Sequence, residues 1–308
     1  MQVVRGVAAA HLPPCALTIG NFDGLHLGHQ AMLTKVRDVA RARGLATAVL
    51  TFEPHPRELF APDSAPARLT SFREKAELLA AEGIDYLVVQ RFDRRFASYE
   101  AEAFRDEIIA KRLNARFVVV GDDFCFGARR AGNIALLAQS PVFDAHALPT
   151  VASGDGRVSS TAVRAALAGG QMAHAAALLG RPYSISGRVI GGDKLGRELG
   201  FPTANIQLRH NRPPMMGVFV VEAHGLERPW QGVASLGVRP TVKGADAAPV
   251  LEVHLFDFNR QIYGEHLRVD FLAKLRDEEK YSGLEPLIAQ IQKDCDQARD
   301  WFATRAQH

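Results

Sequence analysis

His26 and His29 stand three residues apart in the segment Thr18-Ile-Gly-Asn-Phe-Asp-Gly-Leu-His-Leu-Gly-His29. There, a short apolar run ends in glycine and passes directly into a helical pattern. Positions i and i+3 share one face of a helical turn, so both imidazoles can point at one phosphate. The helix start adds unpaired backbone N–H groups and the positive end of the peptide dipoles. Gly28 removes a side chain where a nucleotide would approach, and Asn21, Phe22 and Asp23 follow Gly20 in the turn before it. The segment is neither a GxGxxG fingerprint nor a Walker A loop. The chemistry it suits is nucleotidyl transfer. An incoming phosphate is already a nucleophile, so the protein must align the reactants and stabilise charge on the α-phosphate and the departing pyrophosphate. A surface capping pair would show the same HxxH spacing, and a metal site would need a third ligand at metal spacing. The glycines and the strand-to-helix setting favour the nucleotide.

Three further segments carry chemistry. Val158-Ser159-Ser160-Thr161-Ala162-Val163-Arg164 reads as the start of a short helix ending at Gly169-Gly170. Ser159, Ser160 and Thr161 offer hydroxyls to a phosphate, and Arg164 adds a charged donor. Taken alone it is a good N-cap. Gly191 to Asn205 reads as a glycine-rich flap, with Gly192 and Gly196 leaving backbone donors free to face phosphates. Pro202 stiffens the turn that presents Thr203 and Asn205. A hydroxyl and an amide oxygen, completed by nucleotide phosphates and water, suit Mg2+. A long hairpin loop is the plainer alternative. In Leu251-Glu252-Val253-His254-Leu255, period-two alternation puts Glu252 and His254 opposite the apolar residues. A carboxylate held on a strand can accept a proton from a substrate hydroxyl. A solvated strand face has the same pattern.

The elements that must position these residues change character along the chain. Strands are expected at 16–20, 46–52, 86–90 and 117–121, separated by helices. One helix runs from Leu27 to Arg43 with Met32, Val36 and Val39 on one face. A second opens at Ser71 with a capping-box pattern and stops at Gly83, and a third, capped by Ser98, carries Phe104, Ile108 and Ile109. Short, continuously apolar strands alternating with amphipathic helices predict a doubly wound parallel sheet. Beyond Arg181-Pro182, segments such as YSISGRVI, GVFVVEA, WQGVASLGV and HLRVDFLA alternate with period two. They predict a small antiparallel barrel or sandwich. The last segment returns to helical spacing, with Leu284, Leu287, Ile291, Cys295, Ala298 and Phe302 on one stripe. The fold class is therefore α/β followed by β, with domains at 1–182 and 183–308.

Composition bounds the function. The chain has 308 residues, enough for two domains, and 47% of them are apolar, which excludes a disordered chain. A net charge of +3 without basic clustering argues against a nucleic-acid partner and suits phosphorylated small ligands. No run approaches 18 apolar residues, so neither a membrane span nor a membrane partner is expected. Three scattered cysteines, Cys15, Cys125 and Cys295, fit a reducing cytoplasm.

Together these segments resemble the prokaryotic bifunctional riboflavin kinase/FMN adenylyltransferase family, also called FAD synthetases. GNFDGLHLGH, TFEPHP, GDDFCFG and VSSTAVR are similar to the adenylyltransferase half. GRELGFPTAN, GVASLGVRPTV, LEVHLFDF and YGEHLRVDFLAKLRDEEKY are similar to the kinase half. The resemblance covers nearly the whole chain in the family's motif order. It implies two ATP-dependent steps with Mg2+: riboflavin to FMN in the C-terminal domain, then FMN to FAD with release of pyrophosphate in the N-terminal domain. It implies that Glu252 is the kinase base, and that Thr203 and Asn205 hold metal and ATP with Gly192 and Gly196 beside them. It implies that Gly20 to Asp23, His26, Gly28, His29, Ser159, Ser160, Thr161 and Arg164 bind the adenylating ATP. Asp123, Phe124 and Phe126 would then meet the flavin. The chain departs from the family's usual residues at Cys125, Asn133, Ala162 and Ser235. The resemblance is consistent with a monomer or weak homo-oligomer acting on riboflavin, FMN and ATP.

Overall fold

The computed structural model describes residues 1–153, 156–192, 196, 199–208, 212–238 and 249–305. Its described residues form two compact units, one of Met1–Pro66 with Phe72–Ser159 and one of Ala67–Ser71 with Ser160–His308.

The first unit contains β1 (Gln2–Arg5), β2 (Cys15–Ile19), α1 (Leu27–Arg43), β3 (Ala46–Glu53), α2 (Pro56–Phe60), α3 (Phe72–Ala81) and β4 (Tyr86–Arg91). It continues through α4 (Arg94–Ala97), α5 (Ala101–Ala103) with a π-helical extension (Phe104–Arg112), β5 (Ala115–Gly121), α6 (Ile134–Leu137) and β6 (Asp144–Leu148). A two-residue hairpin, β7 (Ala152–Ser153) and β8 (Gly156–Arg157), closes it. Six parallel strands run in the order β1-β4-β3-β2-β5-β6. Every residue of β2 is buried, as a central strand covered on both faces must be. Leu17, Ile19, Val118 and Val120 pack with Phe104, Ile108 and Ile109 on one side of the sheet. On the other side Ala16, Phe117 and Val119 pack with Val36 and Ala40 of α1.

The strands and α1 fall where the alternation places them. The buried stripe of α1 is Leu33, Val36 and Ala40, with Met32 and Val39 at its margin. Gly44 ends α1 in the left-handed conformation at φ 64°. Ser98 does not cap the helix that follows it. It closes α4, its hydroxyl donating back to the Arg95 carbonyl, and α5 starts at Ala101. The short edge strands β1 and β6 carry too little periodicity to stand out in sequence.

The second unit holds α7 (Ser160–Ala168), α8 (Met172–Leu179), β9 (Tyr183–Ile190), β10 (Ala204–Ile206), β11 (Gly217–His224), β12 (Trp230–Val238), β13 (Pro249–Leu255), β14 (His266–Arg276) and α9 (Leu284–Arg305). Six antiparallel strands close into a barrel in the order β10-β13-β12-β11-β14-β9. Closure removes the free edges that a sandwich would leave. Contacts place α7 and α8 in the compact unit that holds the barrel, where α8 packs on β9 and β14. Inside the barrel Ile185, Phe219, Val221, Leu251, Val253 and Phe271 are fully buried. Outside it, Cys295 and Ala298 of α9 cover Val220 and Phe256, with Ile291 and Phe302 at the margin. Leu284, placed on this stripe by its spacing, lies 55% exposed at the helix start.

α9 is tied to the barrel by charge as well. Asp294 is 2% exposed and receives Arg276 Nη2 at 2.7 Å and Gln290 Nε2 at 2.8 Å. Arg276 holds the Asp294 carboxylate where an apolar residue would otherwise sit, so losing one partner leaves a charge poorly solvated. Asp294→Ala is expected to destabilise the second unit by about 2–3 kcal/mol, read as a shifted urea midpoint, and Asp294→Asn by less. Burial also pushes the Cys15 thiol up to about 12 and the Cys295 thiol up to about 11, while Cys125 is exposed. A thiol titration of the native protein near pH 8 should therefore count one reactive cysteine, lost in Cys125→Ser.

Candidate functional site

The first candidate centre sits at the carboxyl ends of β2 and β3, next to the start of α1. Carboxyl ends of central parallel strands are where chain direction leaves a crevice. The turn after β2 is held by Phe22, which is fully buried at φ 49°, followed by Gly24 at φ 82° and Leu25 at φ 45°. This costly backbone brings His26 to the helix N-cap. The His29 N–H donates to His26 Nδ1 at 3.4 Å, and the two rings stack 3.7 Å apart at 17°. With Nδ1 accepting, a neutral His26 carries its proton on Nε2. A Cβ on Gly28 would meet the His26 ring at 3.2 Å, so glycine is what lets the imidazole fold over the helix start.

Lys75, 2% exposed, donates to Glu53 Oε1 at 3.3 Å and to Thr51 Oγ1 at 3.5 Å. The Thr51 hydroxyl donates in turn to the Asn21 carbonyl at 3.3 Å. Burial first, and then the nearby His26 and Lys75, hold the pKa of His29 well below the ordinary histidine value. Two buried polar atoms here, Asn21 Oδ1 and His29 Nδ1, have no hydrogen-bond partner among the described residues. Buried polar atoms are normally paired, so a pair of orphans at one strand end marks a place for a polar ligand. Val158 lies beside Gly28, its carbonyl 3.9 Å from a Cβ built there, and Ser159 follows as the last residue of the first unit. Ser160, Thr161 and Arg164 belong to α7 in the second unit, where Arg164 Nε donates to the Ala67 carbonyl at 2.6 Å.

The loop after β5 carries Asp123, Phe124 and Phe126. The two rings stack at 5.6 Å, but their exposures differ: Phe126 is 7% exposed and packs on Phe104, while Phe124 is partly open. Asp123 pairs with Arg157 of β8 at 2.5 Å. Gly127 and Gly132 let this loop close on Ala101, since a Cβ at either would strike it. An aromatic chain that spacing did not reveal extends from this loop through Phe104, Phe96 and Phe92 to Phe60, which is 68% exposed. Its members come from separate segments; the nearest sequence signal is TFEPHP, whose Phe52 packs on Phe92 and Phe96.

The second candidate centre lies on the barrel. Leu251, Val253 and Leu255 face inward, so Glu252 and His254 face outward, as the alternation requires. Asn205 of β10 lies directly opposite Glu252 on one side, and Ser235 of β12 lies opposite it on the other. Gly192 is backed against the Asn205 amide, and a Cβ there would overlap it. A Cβ on Gly196 would meet the Phe201 carbonyl and, at 3.3 Å, Thr203 Oγ1. Gly192, Gly196, Thr203, Asn205 and Glu252 thus converge, while the flap residues Asp193 to Leu195, Arg197 and Glu198 and the end of the GVASLGVRPTV segment lie outside the described residues.

Thr203 also lines a cavity of about 620 Å³ with Val189, Val253, Leu255, Phe258, Arg260 and Tyr263. The 258–263 segment has no periodicity to mark it in the sequence. An aromatic and an arginine just beyond LEVHL were the available signal. His29 gives the first centre a pH signature. Its depressed pKa means that the folded chain resists a proton which the unfolded chain accepts below about pH 6.5. Stability present above pH 6.5 should fall with acidification, and His29→Asn should flatten that slope in thermal melts between pH 7 and 5.

Comparison with known proteins matches both halves. The FAD synthetase family profile matches residues 8–162, and the riboflavin kinase profile matches residues 179–302. The bifunctional riboflavin kinase/FMN adenylyltransferase of Escherichia coli K12 is 48% identical over 309 residues, covering 98% of each chain. That of Pseudomonas fluorescens is 45% identical over 313 residues, covering 99% of each. A solved structure from Streptococcus pneumoniae described as a macrolide-efflux protein superposes with a TM-score of 0.85 at 30% identity, over 98% of this chain and 100% of that one. Among the described residues no helix is long and apolar enough to cross a membrane.

Proposed function

The chain belongs to the bifunctional riboflavin kinase/FMN adenylyltransferase family, and from that premise we propose that the two residue sets described above are its two catalytic centres. The protein phosphorylates riboflavin to FMN with ATP, and adenylylates FMN to FAD with release of pyrophosphate. We take residues 1–182 as the adenylyltransferase domain and 183–308 as the kinase domain. The barrel's first strand begins at Tyr183, which supports that division.

In the kinase, the observation that carries the assignment is the rung Asn205–Glu252–Ser235 beside Thr203. Thr203 looks into the cavity, which is large enough for a nucleotide, and Asn205 stands beside the carboxylate. ATP bound in the cavity then presents its γ-phosphate to a riboflavin 5′-hydroxyl at Glu252. Glu252 accepts the hydroxyl proton, the oxygen bonds to phosphorus, and ADP departs with the bridging electrons. The donor set here is two neutral oxygens near one carboxylate, and no cluster of three His, Cys, Asp or Glu residues suited to a metal exists among the described residues. That set fits a Mg2+ ion held mainly by phosphates, with Thr203 and Asn205 as its protein oxygens. Bound Mg2+ would neutralise phosphate charge.

In the adenylyltransferase, an FMN phosphate oxygen attacks the α-phosphorus of ATP and pyrophosphate leaves. The His26 Nε2–H and the helix N-terminus donate to phosphate oxygens. His29, kept neutral by burial, donates without adding charge. Gly20, Asn21, Phe22, Asp23 and Gly28 shape the ATP cradle together with Ser159; for Ser160, Thr161 and Arg164, which belong to the second unit, the family resemblance alone supports a role as phosphate donors. Phe124 offers an open face to the isoalloxazine, Phe126 supports it, and Asp123 reads a polar edge. Three free cysteines and the absence of a membrane-length helix among the described residues support action in the cytoplasm. We propose a monomer or weak homo-oligomer working on riboflavin, FMN and ATP, with no nucleic-acid or membrane partner.

Separate centres predict separable losses. Glu252→Gln should cut FMN formation from riboflavin by at least about 100-fold and leave FAD formation from supplied FMN unchanged. His29→Ala should do the reverse, with a loss of about 10- to 100-fold in adenylylation. Chromatographic time courses with riboflavin in one tube and FMN in another check both. Loss of both activities in Glu252→Gln would overturn the two-centre assignment.

A further inference from the structure

A second carboxylate stands on the strand face that carries Glu252. Ser235, directly opposite Glu252, donates its hydroxyl to Glu278 Oε1 at 3.0 Å. Directly opposed side chains of antiparallel strands share a face, with Cβ atoms about 5 Å apart. Gly237 follows Ser235 by two residues and lies on that same face. The Glu278 carboxylate rests against Gly237 so closely that a Cβ there would overlap it.

The segment that brings Glu278 here is anchored at its base. Arg276, the last residue of β14, is locked to the buried Asp294, and its guanidinium lies 5.9 Å from the centroid of the Tyr281 ring. Glu278 itself is exposed. Neither packing nor, among the described residues, a cation explains its position. An anchored backbone, a hydroxyl donor and a glycine hold an acceptor on the strand face that carries Glu252.

We propose that Glu278 is a substrate-recognition residue of the kinase, accepting a hydrogen bond from a secondary hydroxyl of the ribityl chain while the terminal hydroxyl sits at Glu252. This inference rests on the kinase reading of Glu252. A ribityl chain is a row of hydroxyl donors. When its end reaches Glu252, the next hydroxyls pass over Ser235 and meet the next acceptor on that face. An ionised carboxylate is the strongest hydrogen-bond acceptor that a protein side chain can offer a hydroxyl donor. Among the described residues Ser235 bonds one oxygen of Glu278, and the other is the one we assign to the substrate.

The test uses the full chain and compares wild type with Glu278→Ala, Glu278→Gln and Gly237→Ala. Two substrates are used: riboflavin, and a flavin whose side chain keeps the terminal hydroxyl but lacks one secondary hydroxyl. Glu278→Ala is expected to raise the riboflavin KM about tenfold, with kcat and the ATP KM within about twofold. Glu278→Gln should raise it less. Gly237→Ala, which keeps the carboxylate but displaces it, should move KM in the same direction. The KM penalty for the missing hydroxyl, present in wild type, should vanish in Glu278→Ala. Thermal melts should show that the variants fold.

An unchanged riboflavin KM in Glu278→Ala, an equal rise in the ATP KM, or an analogue penalty that persists in the variant would overturn the proposal alone. A wild-type chain that makes no FMN would overturn the kinase reading and this proposal with it.

Discussion

The register of β13 between β10 and β12 fixes what the barrel can do. Pairing sets Glu252 between Asn205 and Ser235, and a slip by one residue would turn Glu252 into the apolar interior. Leu251, Val253 and Leu255 prevent that slip, because each is buried and would lose its core contacts. Hydrophobic packing on one side of the strand thus holds the candidate base on the other. Closure of the barrel completes the constraint, since with no free edge a ligand must be met at the mouth or on the outer wall. Thr203 lines the cavity, Glu252 stands on the wall, and Asn205 lies opposite Glu252 in the pairing.

The first unit solves a similar problem with a parallel sheet. β2 is buried throughout, so its side chains serve the core and function is pushed to its carboxyl end. The turn there spends backbone strain at Phe22 and Leu25 to place His26 on the helix start. Phe22 supports that turn by being fully buried, so the core and the cradle share a residue. Burial then keeps His29 neutral, and its Nδ1 has no partner among the described residues, which is an arrangement that a polar ligand would complete.

The two centres differ in how much of each was legible in the sequence. HxGH and its glycines, PTAN and the alternation of LEVHL are local patterns, and local backbone geometry converts them directly into shared faces. The aromatic chain from Phe60 to Phe124 and the cavity segment Phe258–Tyr263 are assembled from residues distant in sequence or lacking a period. Ser98 shows the same limit from the other side: its identity suits a cap, but the chain turns so that it ends one helix and does not begin the next.

The sequence by itself determined the parallel α/β half, the period-two half, the candidate phosphate-binding motifs and the candidate base, because hydrophobic periodicity and glycine placement act through neighbouring residues. Only the tertiary structure decided that the second half closes as a barrel, that α7 and α8 pack with it, that Phe126 is core while Phe124 is open, and that Glu278 meets Ser235. Those outcomes depend on contacts between residues tens of positions apart. Their energies are settled by packing and hydrogen bonding in three dimensions, which a one-dimensional pattern does not encode.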